Sequence, residues 1–389
     1  MTWKFPKITV WRAIFAAILL SGLYATYLRV FYGLGGSTNL SDKFPWGIWI
    51  GFDVMCGEAL AAGGFTLVAM VHIFNIKTYK PVLRPAILTA FLGYSLVTVG
   101  LLFDLGRPYR LWHPLVMWNP HSVMFEVAWC VTLYSTVLFL EFLPVVFEKF
   151  GLHEPLAWIH KISVPLMILG VLLSTLHQSS LGTLFLIVPE KEYPLWYTPI
   201  LPLLFFISAL AAGLAMTIFE SWHSSRAFGR ALELPLLASM GRVLAVIMSV
   251  YLWIRFLDLA QRGVLGLLAR NRIETWLFAL EIGLMIVPTI LLYQRKIRTR
   301  PGALYACAVM TLFSLVANRL NVGITGIEAG SGTHYIPKWS EMAITLSIIA
   351  VGFATFRVVA EYFPVFEAHS QERMPENVGE TEADPVAIG

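Results

Sequence analysis

The chain has 389 residues, of which 57% are hydrophobic and only 13% charged, whereas ordinary soluble domains carry about 25% charged residues. This composition indicates an integral membrane protein and leaves no segment for a separate soluble domain. The net charge of +4 does not indicate nucleic-acid binding, because most cations fall in short loops beside apolar segments.

Ten apolar segments, each long enough to cross a bilayer, follow one another along the chain. The first continues into TYLRVFY with no convincing cleavage site, so we interpret it as a retained span and not as a signal peptide. The sequence therefore predicts an all-α integral membrane protein with one polytopic domain over residues 1–363. The predicted spans are 10–33, 48–76, 82–104, 122–147, 161–182, 201–223, 236–261, 274–294, 303–322 and 340–363.

The distribution of Lys and Arg predicts the orientation. An even number of spans places both termini on one side, and the loops of that side carry more Lys and Arg than the others. The positive-inside rule then places both termini in the cytoplasm. Residues 364–389 are acidic and poor in apolar side chains, so they are predicted to form a disordered cytoplasmic tail.

The loops of the opposite side, at 34–47, 105–121, 183–200 and 324–339, are rich in Pro, Trp and Tyr. Aromatic side chains also collect at membrane interfaces without any binding role. Two interpretations stay open: an interfacial belt, or a docking platform for an extracytoplasmic subunit.

A short internal similarity links the two halves of the chain. Asp104 ends span 3 and is followed after 22 residues by Glu126, while Asp258 in span 7 is followed after 23 residues by Glu281. A shift of four spans preserves orientation. The sequence therefore predicts parallel repeats over 10–147 and 161–294, forming two four-helix bundles of spans 1–4 and 5–8, with two further helices in 303–363.

Six polar residues are predicted to share one level in the extracytoplasmic half of the membrane. An unpaired carboxylate at that depth costs several kcal/mol, so each acid should be protonated, paired with a cation such as Arg107, or exposed to a wet pocket. The alternative is a set of structural hydrogen bonds between helices. The six are Asp53, Asp104, Arg107, Glu126, His177 and Gln178.

A second polar set lies on spans 7 to 10. Arg255 and Asp258 are three residues apart and are expected to pair on one helix face, so structural charge neutralisation is favoured over a second site. The set comprises Arg255, Asp258, Glu281, Asn318, Arg319, Asn321 and Glu341. Separately, Glu58 near the midplane and Glu220 at the cytoplasmic end of span 6 could continue a proton path inward from Glu126.

This outer set suits quinone chemistry. A histidine can donate to a quinone carbonyl, and a buried acid can exchange the protons that accompany two electrons. Trp46 and Trp49 would flank the ring beside Asp53. A haem site needs two histidines at one depth, and the histidines at 72, 160 and 223 lie near helix ends. The three cysteines are far apart and form no CxxC motif, so no iron–sulfur cluster or other metal site is expected in this chain.

Several motifs resemble the NrfD/PsrC family of quinone-interacting membrane subunits, especially its HybB, HmcC and DsrP branch. These motifs are FPWGIWIGFD at 44–53, LGYS at 92–95, DLGRP at 104–108, NPHSVMFE at 119–126, STLHQSSLG at 174–182, IFE at 218–220 and YIPKWSE at 335–341. The resemblance implies a subunit of the bacterial inner membrane that binds menaquinone or another quinone near the periplasmic face. It also implies electron exchange with a periplasmic ferredoxin-like iron–sulfur subunit linked to a hydrogenase or a multihaem cytochrome c.

The resemblance also implies roles for individual residues. Tyr94, Glu126, His177 and Glu220 match family positions implicated in quinone chemistry or proton movement, and Asp104 and Arg107 match the motif that ends span 3. A role for Glu58 rests on its depth alone.

Together, these arguments predict three groups of site residues. The catalytic residues are His177, Glu126 and Asp53; the quinone-binding residues are His177, Gln178, Asp104, Arg107, Tyr94 and Trp46; and the proton path comprises Glu126, Glu58 and Glu220. Two alternatives remain: a secondary transporter, which would need broken helices around midplane carboxylates, and a passive anchor without a quinone site.

Overall fold

The computed structural model describes residues 9–44 and 46–366. Ten of its helices are long and apolar enough to cross a membrane, which confirms the predicted all-α membrane fold. We number them spans 1 to 10: Val10–Ser37, Trp49–Ile73, Lys77–Asp104, Val123–Phe150, His153–Leu186, Leu201–Ala227, Leu234–Gln261, Ile273–Tyr293, Pro301–Ser331 and Trp339–Tyr362. We call the end of the molecule that carries loops 38–48, 105–122, 187–200 and 332–338 the outer end, and the opposite one the inner end.

Local signals explain where span 4 begins and ends. At its outer end the Ser122 hydroxyl accepts a hydrogen bond from the Phe125 backbone amide at 3.4 Å, which satisfies one of the free amides of the first turn. At its inner end Gly151 adopts φ 66°, a left-handed conformation that stops the helix. Span 5 begins only two residues later, so spans 4 and 5 form a tight antiparallel pair.

The packing of the spans differs from the predicted grouping. Spans 2–5 form one four-helix bundle and spans 6–9 a second, while span 1 packs mainly on span 10, which also contacts span 3. The predicted bundles of spans 1–4 and 5–8 are therefore displaced by one span. Hydropathy could not reveal this, because every span is apolar and its partners depend on which residues let two backbones approach.

The two bundles meet where span 2 crosses span 6. A Cβ atom at Gly213 would lie 2.8 Å from the backbone carbon of Ala62 and from the backbone nitrogen of Gly63. Only glycine permits this approach. Spans 2 and 6 are consequently the most enclosed of the ten, and span 2 can carry polar side chains into the protein interior.

The last described residues correct the predicted start of the tail. Val365 is fully buried and packs with Leu88, Phe142 and Val145, and the Arg230 guanidinium lies 3.9 Å from the ring centroid of Phe366. Residues 364–366 therefore belong to the folded domain. The acidic stretch 367–389 lies outside the described residues, and its disorder stays a prediction.

Candidate functional site

A buried histidine–carboxylate pair lies inside the bundle of spans 2–5. His177 Nε2 on span 5 bonds to Glu58 Oε2 on span 2, and both residues are 0% exposed. The other two polar atoms, His177 Nδ1 and Glu58 Oε1, are buried without a protein partner. Because unpartnered buried polar atoms are costly, these two atoms are available to a ligand, a water molecule or a proton.

The course of span 2 brings Glu58 to this place. Residues Trp49–Val54 form wide π-type turns before the α-helix resumes at Met55, a local irregularity that often marks functional sites. Small residues follow in the sequence GEALAAGG at 57–64. They allow span 2 to run between its neighbours, so the Glu58 side chain points into the bundle and not into lipid.

Gln178 extends this polar pair toward span 3. Its amide nitrogen donates to the Glu58 backbone carbonyl at 3.2 Å and to the Tyr94 hydroxyl at 3.3 Å. The ring of Tyr94 packs edge-on against Tyr134 of span 4 with centroids 4.7 Å apart, and it lies 5.7 Å from the His177 ring. Each of these side chains is at most 1% exposed, so they form one buried polar layer across the bundle.

Glu126 lies near the outer end of the bundle and contacts Ser180 of span 5. The Ser180 hydroxyl contacts Glu126 Oε1 and also the Leu176 backbone carbonyl, which lies 2.9 Å away. Ser180 is three residues outward from His177 and therefore lies beside it on the same helix face. Ser180 is buried whereas Glu126 is exposed, so these two residues place polar groups between the surface and the helix turn that carries His177.

Asp53 and Asp104 belong to a different group, between spans 1, 3 and 10. Thr345 of span 10 donates to Asp53 Oδ2 at 2.9 Å. The cation beside Asp104 is Arg29 of span 1, which donates to the carbonyls of Phe103 at 2.7 Å and of Leu105 at 2.6 Å. The expected Asp104–Arg107 pair is absent from the described residues, because span 3 ends at Asp104 and Arg107 is exposed. Arg29 acts on Asp104 electrostatically without an ion pair, and Asp104 Oδ1 is buried with no hydrogen-bond partner.

Trp46 lies farther out than the His177–Glu58 pair. Its ring packs edge-on against Phe185 at a centroid distance of 5.9 Å, and Phe185 is eight residues, or about 12 Å along the helix, beyond His177. An apolar cleft of about 420 Å³, including its open mouth, is lined by Lys43, Phe44, Trp46, Val188, Lys191 and Ile327.

Glu220 lies at the inner end, apart from the buried pair. Its carboxylate accepts a hydrogen bond from Thr89 at 2.7 Å and lines a cleft of about 390 Å³ together with Ser224 and Arg230. A further acid was missed in the sequence: Glu141 of span 4 has a buried, unpartnered Oε1 atom. Sequence position could not show this, because its burial depends on the close approach of Gly170 from span 5.

The second polar set is held mainly by internal hydrogen bonds. Glu281 accepts from Asn318 at 2.8 Å, from Asn321 at 2.9 Å and from Trp196 at 3.0 Å. Arg319 donates to Ser208 at 2.8 Å. These contacts favour a structural role in the bundle of spans 6–9.

Two members of that set differ from expectation. Asp258 pairs with Arg262 at 2.7 Å and not with Arg255, which instead donates to the Leu195 carbonyl at 2.5 Å. Nearby Glu192, in the loop after span 5, was also missed in the sequence. Both of its carboxylate oxygens lack a hydrogen-bond partner, and burial raises its pKa well above the ordinary value, although Arg255 opposes this shift.

The histidines of the described spans do not offer two facing rings for a haem. His177 is already bonded to Glu58, whereas the histidines at 72, 160 and 223 are exposed near helix ends. In the part of the chain that the structure describes, no group of three or more His, Cys, Asp or Glu residues could hold a metal ion.

Comparisons with known proteins agree with the motifs. A family model described as "Polysulphide reductase, NrfD" matches residues 36–329. The chain is 39% identical to a protein of Nitratidesulfovibrio vulgaris over 362 residues, covering 90% of this chain and 93% of the relative. It is 32% identical to an Escherichia coli protein named "Probable Ni/Fe-hydrogenase 2 b-type cytochrome subunit" over 358 residues, covering 90% and 91%.

A third relative, the "Menaquinone reductase, integral membrane subunit" of Nitratidesulfovibrio vulgaris, is 27% identical over 394 residues, covering 94% of this chain and 93% of the relative. The family match and the two relatives above 30% identity extend over most of the chain. The ten spans and the buried polar layer therefore belong to a multi-pass integral membrane protein of the NrfD family.

Proposed function

We propose that this chain is the quinone-reactive membrane subunit of a respiratory oxidoreductase complex in the bacterial inner membrane. It would bind menaquinone or another quinone toward the periplasmic face and exchange electrons with a periplasmic iron–sulfur subunit linked to a hydrogenase or a multihaem cytochrome c. The observation that carries the proposal is the buried His177–Glu58 pair with its two unpartnered polar atoms. The names of the hydrogenase and menaquinone reductase relatives support this reading.

A quinone bound at the outer half supplies two-electron, two-proton chemistry, and the residues of this chain would handle the protons. His177 Nδ1 has no protein partner, so it is the ring atom that can face a carbonyl oxygen or a bridging water. Glu58 can accept a hydrogen bond from a proton on His177 Nε2, or it can take up that proton. Glu126, which is exposed and contacts Ser180, would exchange protons with the outside.

The location of the pair favours this reading over a secondary transporter. His177 and Glu58 lie inside one closely packed bundle, spans 2–5, whereas transporter sites lie between bundles that move against each other. A continuation of the proton path from Glu58 through Glu141 and Glu220 toward the cytoplasm is part of the proposal.

The test is replacement of His177 by Gln in the intact complex, assayed with a short-chain naphthoquinol. Loss of a general acid–base group lowers rates by about 10²- to 10⁴-fold, so turnover should fall by that factor while the complex still assembles. His160→Gln, at an exposed inner position, is the matched control and should retain full turnover. Unchanged turnover in His177→Gln would instead support a passive anchor.

A further inference from the structure

A notch of arginines lies at the inner ends of spans 7 to 9. Arg298 belongs to a short helix, Arg295–Arg298, between spans 8 and 9, and this helix packs against the first turns of span 7. Arg242 on span 7 and Arg295 both act on Arg298 electrostatically. We call Arg242, Arg295 and Arg298 the basic notch.

Arg298 is buried without sufficient partners. Its residue exposure is 6%, its Nη1 atom donates to the Ala238 carbonyl at 3.3 Å, and its Nε atom is buried with no partner. A guanidinium presents five donors, and leaving a buried charged donor unpaired is costly. Arg298 therefore has a donor that no acceptor of the described chain takes up.

The notch also lacks a compensating charge. None of its three arginines belongs to an ion pair within 4 Å in the described ranges 9–44 and 46–366. Burial lowers the pKa of Arg298, and repulsion from Arg242 and Arg295 lowers it further. Three cations that gather without an acid are stabilised by a bound anion.

An apolar strip extends from the notch toward the bilayer centre. On span 7, Val246 and Val250 follow Arg242 at intervals of four residues and are 48% and 43% exposed. On span 8, Val287 and Ile290 are 44% and 59% exposed. Spans 7 and 8 are joined on this side by a hydrogen bond of 3.0 Å between Ser249 and Tyr293, and the strip extends about 12 Å along span 7 below Arg242.

We propose that the basic notch binds the phosphate of an anionic phospholipid, whose acyl chains lie along the apolar strip. The planar guanidinium group of arginine can donate two parallel hydrogen bonds to phosphate oxygens. Basic pockets between spanning helices on the cytoplasmic side are typical sites for such headgroups. The location agrees with the predicted cytoplasmic inner end. The strip favours a lipid over a free anion, because inorganic phosphate has no apolar group that could pack on a surface beside its site.

The test is lipid binding to the purified full-length chain in nanodiscs of neutral phosphatidylcholine with titrated phosphatidylglycerol or cardiolipin. Wild-type protein should bind anionic lipid saturably and become more heat-stable. Arg298→Gln should weaken binding by about 10- to 100-fold, the loss expected for one charge-assisted hydrogen bond. Arg242→Gln, an exposed position whose replacement should not impair folding, should weaken it in the same direction.

Matched controls exclude other anions. Arg272→Gln, an exposed position at the outer end of span 8, should bind lipid like the wild type. Equal stabilisation by millimolar inorganic phosphate would show a free-anion site and overturn the lipid proposal. Tighter lipid binding after truncation at Phe366 would show that the acidic residues 367–389 occupy the notch, which would also overturn it. Wild-type affinity in both notch variants would exclude the site.

Discussion

Replacement of Glu58 by Gln tests the buried pair most directly. Glu58 is 0% exposed and its side chain contacts His177. An amide has nearly the same shape and can still form a hydrogen bond with the imidazole, so the free energy of unfolding should change by less than about 1 kcal/mol. An amide cannot, however, take up or release a proton. The substitution therefore distinguishes a contribution of Glu58 to packing, which would change stability, from a contribution to proton transfer, which would change the rate.

The expected kinetic effect follows from that chemistry. Loss of an acid–base group lowers rates by about 10²- to 10⁴-fold, which corresponds to about 3–5 kcal/mol in the activation barrier. Naphthoquinol turnover by the assembled complex measures the rate, and tryptophan-fluorescence melting in nanodiscs measures the stability.

Glu361→Gln is the matched control. Glu361 pairs with Arg357 at 2.8 Å, and its side chain is 44% exposed, so its loss should alter neither turnover nor stability by a measurable amount. Wild-type turnover in Glu58→Gln would refute the assignment of proton transfer to this pair. A large loss of stability in the same variant would show that the pair is structural.

Two further predictions concern the fold and the outer loop. Gly213→Ala should destabilise the protein by about 1–3 kcal/mol, because its Cβ would lie 2.8 Å from the backbone of span 2. The control is Gly283→Ala, which has nothing within 4 Å of its Cβ and should be neutral or stabilising by up to about 1 kcal/mol. Equal melting temperatures for the two variants would contradict the close approach. Burial raises the pKa of Glu192, so the folded state binds its proton more tightly and stability should fall as pH rises from about 4.3 toward the folded pKa. Glu192→Gln should remove that loss and melt higher than the wild type at pH 8, while Glu190→Gln, an exposed neighbour, should not. Matching melting curves for the two variants would refute a raised pKa at Glu192.

The number and approximate position of the spans could be predicted from the sequence. Crossing a bilayer requires about 20 apolar residues with all backbone hydrogen bonds internal, and this requirement can be read from each segment alone. His177 and Gln178 could be singled out for the same reason, since polar residues are conspicuous within an apolar run. The family resemblance could likewise be recognised in short contiguous motifs.

The partners of the polar residues were decided only by the tertiary structure. Glu58 meets His177 across 119 residues of sequence because span 2 begins with wide turns and continues with small residues. Asp104 lies beside Arg29 of span 1 and not beside its sequence neighbour Arg107. Such pairings depend on helix rotation and interhelical distance, which hydropathy does not encode.

The grouping of spans into bundles 2–5 and 6–9 has the same origin. Close glycine contacts determine which helices approach one another, as at Gly93 of span 3, where an added Cβ would lie 2.6 Å from the Ala61 side chain of span 2. Burial alone does not favour one arrangement, because lipid and protein interiors are equally apolar. The sequence by itself determined how many helices cross the membrane and which polar residues they carry. Close packing determined which of those residues share a buried site.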